Sequence, residues 1–272
     1  MYSGTTLTNK SGAVFGAHQK IDRTARRYLT KVCDAKDFPD IKDILHFEGK
    51  NGPDGIKRKS PAIDEPWHFY NPFDETDTKL LEIIEDHFKE LSHQLKKGSP
   101  ERAAFDAAWL AHAITDGLTP AHHFPYEEKL QELRGESMAS RDSIKNKLII
   151  PGDTRTEKMK NNWAMWGKGG LMSMHSLFEA GVAFIIAPLS MKKARPSEGD
   201  LQAAIDIGLS EYFKRAAREI ALLDMYDRFH ESGWSTKLVR DVRNELAPTI
   251  IKTVIIAWYL ALRDSGRLKG KK

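Results

Sequence analysis

The sequence predicts an all-α fold, a multi-helix bundle of about seven to nine helices. Three observations carry this. Apolar residues recur at helical spacing along most of the chain, helix-ending signals punctuate it, and no stretch alternates with a two-residue period between hairpin turns. With 272 residues, 40% hydrophobic and 29% charged, the chain has the balance of a globular protein with one core. It reads as one domain over 1–272, with an excursion inserted at 126–162 and a flexible tail at 264–272.

Residues 17–30 are amphipathic, with Ile21, Ala25 and Tyr28 on one face. The 50–71 stretch is rich in Gly, Pro, Asp and Lys and is predicted as a long loop. A helix over 77–97 stops at Gly98; Ser99 caps the next, and Pro100 takes its first position. That helix, 101–117, is unusually apolar and is placed at the centre. Residues 125–147 have room for another helix, whereas 148–162 read as polar and irregular. Helices over 169–187, 197–225 and 234–263 complete the set.

Composition excludes several classes. A net charge of +4 gives no strong nucleic-acid signature, yet would not repel a phosphate-bearing substrate. Cys33 is the only cysteine, so an intrachain disulfide and a cysteine-rich zinc site are excluded, and any metal must rest on His, Asp and Glu. Residues 1–16 hold no apolar run of signal-peptide length, so the chain reads as cytoplasmic as written; export by another route would leave the same sequence. The apolar run 180–189 is too short to span a bilayer, and 246–262 carries Pro248 and Lys252, so both are predicted as buried core helices.

G-x-S-x-G, G-x-x-x-x-G-K-[ST], H-E-x-x-H and the His-Asp dipeptide are all missing. What remains is histidine combined with carboxylate. In LAHAITDGLTPAHH, His112 and Asp116 lie four apart and His122 follows at the helix exit; in MHSLFEA, His175 and Glu179 again lie four apart. An imidazole and a carboxylate one helical turn apart meet over the same patch and can chelate one ion. Both pairs lie on the most apolar helices, where an uncompensated carboxylate is costly; mutual ion pairing is the competing explanation. The loop HFEGKNGPDGIKRKSPAIDEPWHFYNP adds Asp54 in a Pro-Asp-Gly turn and His68 among aromatics, each with a plain structural explanation of its own. His18, at the start of the first helix, is weak alone.

Together the spacings resemble the superfamily of zinc-dependent phospholipases C and fungal zinc single-strand nucleases. That family shows an early His, an Asp with a His about 14 residues on, then H-x(3)-D-x(5)-H, then H-x(3)-E or H-x(3)-D. These positions are His18, Asp54, His68, His112, Asp116, His122, His175 and Glu179, in order over residues 16–180. The resemblance implies an all-helical bundle of the zinc phospholipase C type and two or three zinc ions per chain. His68, His112 and Asp116 would hold one. His122, His175 and Glu179 would hold a second. Asp116 would bridge to a third, completed by His18 and the N-terminal amino and carbonyl groups. Asp54 would orient or deprotonate the attacking water.

The implied activity is zinc-dependent phosphodiester hydrolysis of the phospholipase C type. A single-strand nuclease or nucleotidase and a non-catalytic zinc-stabilised bundle are the alternatives. The implied partner is a phosphodiester, either phospholipid, with transient contact to a membrane surface, or single-stranded nucleic acid; no obligate protein partner is implied. The chain departs from the pattern in three places. His18 lies further from the N-terminus than the family's early His. Gly55 stands where the family's phospholipases carry an aromatic, which argues against choline-lipid specificity. The segment between His122 and His175 is long and contains Trp163 and Trp166, which read first as core packing and second as a lid or substrate platform. His123 reads as a supporting group or as exposed, and His46, His87, His93 and His230 as ordinary.

Overall fold

The computed structural model of the chain describes residues 1–3 and 16–268. Fourteen α-helical segments run in the order α1 (Ala17–Val32), α2 (Ile41–His46), α3 (Pro53–Lys57), α4 (Lys79–Lys97), α5 (Pro100–Gly117), α6 (Tyr126–Arg134), α7 (Ile144–Leu148), α8 (Arg155–Trp166), α9 (Leu171–Ile186), α10 (Glu198–Ile207), α11 (Leu209–Ala221), α12 (Met225–Ser232), α13 (Thr236–Asp241) and α14 (Ala247–Asp264). Among the described residues there is no strand, so the fold is all-α.

The segments outnumber the expected helices because several are one or two turns long, too short to display a 3.6-residue repeat. The stretch 50–71 contains α3, started by Pro53 in its first turn, and a 3₁₀ turn at Ala62–Asp64. The 148–162 stretch is not irregular. It carries most of α8, where Thr154 Oγ1 accepts from Glu157 N at 3.1 Å and Glu157 Oε2 accepts from Asp153 N at 3.0 Å. That pairing of Thr and Glu three residues apart is a start signal that the polar composition masked. The predicted 197–225 helix is two helices, broken at Gly208.

The core lies where α14 packs on α1, α4 and α5. Ile250, Ile251, Val254, Ile255 and Trp258 are fully buried, and Trp258 Nε1 donates to Ala107 O at 3.1 Å. Alanines 103, 104, 107, 108, 111 and 113 are buried along α5 and let its neighbours approach closely, so α5 is central as expected. A π turn at Val242–Leu246 joins α13 to α14 directly before Pro248, which has no N–H for an α-helical bond.

Two helical stretches, 155–186 and 236–264, are long and apolar enough to cross a membrane by length and composition. The apolar window of the second is 78% buried, which makes it the expected core helix. The 180–189 run is buried on one face only: Val182, Ala183 and Ile186 point inward, while Phe184 is 61% exposed.

Residues 126–162, with the end of α8, build a small second core of Tyr126, Leu130, Ile150 and Met165. In the predicted tail, Arg267 Nη2 donates to Lys96 O at 3.1 Å and Leu268 packs against the core; residues 269–272 lie outside the described residues.

Candidate metal centre

Asp116 is the hub of a buried cluster. It sits near the end of α5, one turn beyond His112, with a side chain only 2% exposed. Its two oxygens face two different groups. Oδ2 lies 3.2 Å from His112 Nε2 and 3.5 Å from His68 Nδ1. Oδ1 lies 3.2 Å from His18 Nε2 and in close contact with the Met1 amino group. Met1 O lies 2.6 Å from His18 Nε2, so the nitrogen and carbonyl of Met1 converge with His18 and Asp116 on one point. Residues 1–3 are held there along the first turn of α1: Ala17 N donates to Tyr2 O at 2.8 Å, and Gln19 Nε2 donates to Ser3 O.

A further group forms where α9 faces the turn after α5. His175 Nε2 and His122 Nε2 lie 3.1 and 2.8 Å from Glu179 Oε1, and the Met1 nitrogen lies 3.2 Å from the same oxygen. Pro120–His122 is a 3₁₀ turn in which His122 N donates to Thr119 O at 2.8 Å, turning His122 back toward the hub. His68 reaches the site because Tyr70 N donates to His122 O at 3.1 Å, tying the loop to that turn. Asp54, in the first turn of α3, places Oδ1 3.9 Å from His112 Nε2. Its side chain is 24% exposed, against 2% for Asp116, so Asp54 is the carboxylate at the open side. All eight residues expected from the sequence are therefore brought together, joined by Met1.

Glu48 was not expected there. It is 1% exposed, and its Oε1 accepts from His112 Nδ1 at 3.0 Å. That bond orients the imidazole with Nε2 toward Asp116, and His68 O orients His122 in the same way, 2.9 Å from its Nδ1. Asp22 is buried beside Glu48; burial, then the charge of Glu48, pushes its carboxyl well above the usual range. Glu48→Gln is expected to weaken metal binding about 10- to 100-fold with folding retained, as measured by competition against a chromogenic chelator; unchanged affinity would show that Glu48 does not position His112.

Electrostatics at the site favour positive charge. Burial opposes ionisation of Asp116, but the Met1 amine and the neighbouring histidines outweigh it and hold the carboxyl well below the usual range. Glu179 is likewise driven up by burial and further down by the Met1 amine, His175 and His122. Burial pushes the Met1 amine down, but Asp116, Glu179 and Asp54 lift it to about 10. His112 goes well above its ordinary value because Glu48 and Asp116 overcome its burial. Burial, then Lys57, pushes His68 down to about 3, leaving it neutral, which is the form that binds metal.

The residues fit a metal. Tetrahedral zinc with ligands at about 2.1 Å has ligand atoms about 3.4 Å apart. The separations of 2.8 to 3.5 Å around Asp116 and Glu179 match that edge. His112 Nε2 and Asp116 Oδ2 converge at 3.2 Å in a buried position, the spacing of two ligands on one ion. Asp54, His68 and His112 form one potential ligand group, and His122, His175 and Glu179 another. Nitrogen and oxygen donors alone suit zinc among several divalent ions.

Other expectations resolve differently. Trp163 and Trp166 are not core residues; they are 68% and 42% exposed on α8, whose buried residue is Met165. Gly55 carries no aromatic for a steric reason: a Cβ there would lie 2.0 Å from Lys50 O. His123 is a supporting group, with Nε2 donating to Gly117 O at 2.9 Å. His87 bonds Asp106 at 3.0 Å, away from the site. Comparison of the chain with protein-family models, with curated proteins and with solved structures finds no significant match.

Proposed function

We propose that the chain is a zinc-dependent phosphodiester hydrolase of the phospholipase C type. One observation carries the reading: a single buried carboxylate, Asp116, turns its two oxygens to two separate sets of nitrogen donors, with the His122–His175–Glu179 set alongside. Mutual ion pairing calls for one cationic partner, whereas Asp116 meets four nitrogen donors within 3.5 Å, of which His68 is neutral. Several cations held this close offset the charge of a phosphodiester and the charge that develops on in-line displacement. When bound, zinc supplies polarisation of a phosphoryl oxygen and activation of water near neutral pH.

The protein's own groups divide the remaining work. His112, His122 and His68 are oriented by Glu48, by a backbone carbonyl and by the tie to the 3₁₀ turn, so little reorganisation accompanies the reaction. At Asp54, burial works against ionisation, but His112 prevails and holds the carboxyl below its ordinary value. Asp54 is therefore ionised at neutral pH, faces the open side of the site, and is placed to take a proton from water on Oδ1. Asp54→Asn is expected to lower kcat for bis-p-nitrophenyl phosphate by on the order of 10²- to 10³-fold with zinc present. Equal, negligible turnover by wild type and variant with zinc present would sink the reading.

A further inference from the structure

Beside the metal centre lies a cavity of about 760 Å³, lined by residues 57–69 on one side and by α6, α7 and the end of α8 on the other. It has the size of a small-molecule site. Leu130, Met138, Met165, Met172, Trp67 and Phe69 line its interior, and the exposed side chains of Ile144, Leu148 and Trp166 stand at its rim.

A pair of rings forms part of the wall between it and the metal centre. Phe69 and Tyr126 stack at 5.6 Å; on their other side Phe69 lies 5.5 Å from His122, and Tyr126 lies 5.2 Å from His175. His68 itself lines the cavity.

Most polar groups of the lining are already engaged; Trp67 Nε1 and Arg141 Nε are left without a partner among the described residues. Arg141 pairs with Glu127, Lys147 Nζ donates to Lys57 O and Ser60 O, and Trp166 Nε1 donates to Leu148 O at 2.8 Å. A nucleobase entering here would find few free partners for its hydrogen-bonding edges, whereas a hydrocarbon chain needs none. Three methionines give the interior a deformable surface suited to a flexible chain. Two further cations line it: Lys57 is close enough to His68 and Asp54 for its charge to act on both, and Lys79 Nζ sits 4.4 Å from the Trp67 ring.

We infer that this cavity takes the hydrocarbon chain of a single-chain anionic amphiphile, such as a lysophospholipid with an anionic head, and so delivers the phosphodiester to the metal centre. The volume suits one chain; the apolar interior selects the tail and Lys57 selects the anionic head. The inference rests on the hydrolase reading for what happens to the head, but capture of the chain does not depend on it.

The test is equilibrium binding of a fluorescent long-chain lysophosphatidylglycerol, below its micelle concentration, to the metal-free full chain. Saturable binding is expected, displaced by a long-chain fatty acid and not by a single-stranded oligonucleotide. The rim variants Ile144→Glu and Leu148→Glu, exposed positions at which folding is not at stake, are each expected to weaken it about tenfold. Lys57→Glu is expected to weaken the lysophospholipid more than an uncharged long-chain alcohol. Absence of saturable binding, displacement by the oligonucleotide, or rim variants that bind as wild type would overturn the inference. Cleavage of bis-p-nitrophenyl phosphate, which has no chain, reports separately on the metal centre.

Discussion

Asp116→Asn is expected to abolish two of three metal positions at once. Asp116 Oδ1 serves the Met1–His18 group and Oδ2 serves the His68–His112 group, whereas His122, His175 and Glu179 converge without it. An amide keeps the shape but loses the charge and offers one oxygen where two are needed. Metal content by mass spectrometry should fall from three zinc ions per chain to one, and phosphodiester cleavage should fall by on the order of 10³-fold or more. Glu179→Gln should produce the complementary result, with loss of one ion and retention of the two that share Asp116. Unchanged stoichiometry in Asp116→Asn would mean that the carboxylate is a structural ion-pair partner rather than a bridge.

The second large effect is on stability. Without a metal, the buried carboxylates Asp116 and Glu179 are compensated by the Met1 amine and by histidines alone. Ligation gives that charge a stronger partner, and an ion present at about 1,000 times its dissociation constant adds about 4 kcal/mol per site. For a chain of this length that corresponds to a rise in thermal midpoint of roughly 10 °C for one site. Zinc added to chelator-treated protein is therefore expected to raise the midpoint by at least that much, and chelator to reverse it, as followed by circular dichroism. A midpoint indifferent to zinc would remove the metal from the account. A shift without any phosphodiester cleavage would leave the ion a purely structural role.

The helical class was legible because a long periodic segment such as α4 reports its buried face directly, and long apolar segments such as α5 and α14 report helices buried on most sides. Short helices were not, because α2, α3 and α7 are too brief to repeat. The same physics divided the site. His112 with Asp116, and His175 with Glu179, could be read from spacing alone, since four residues on a helix bring two side chains to one face. His18, Asp54 and His68 stand out only weakly one by one and gain a role only from the resemblance, because tertiary packing and not local periodicity carries them to Asp116.

Glu48 was missed for that reason as well: it stands alone before a glycine turn, and only the fold brings it to His112 Nδ1. One signal was available and went unread. Asp22 follows His18 by four residues on α1, the same pattern as the other two pairs, and it marks the buried carboxyl beside Glu48. The exposure of Trp163 and Trp166 was not legible either, because aromatic content says nothing about which face of α8 turns outward.

The central claim is that these residues hold zinc, with Asp116 as the bridge. Crystals grown with zinc, with anomalous differences measured on both sides of the zinc absorption edge, test it most directly. The account predicts three peaks: one between Asp116 Oδ2, His112 and His68, one between Asp116 Oδ1, His18 and Met1, and one within His122, His175 and Glu179. Absence of any peak at this cluster under zinc saturation, or zinc bound only elsewhere on the molecule, would contradict it.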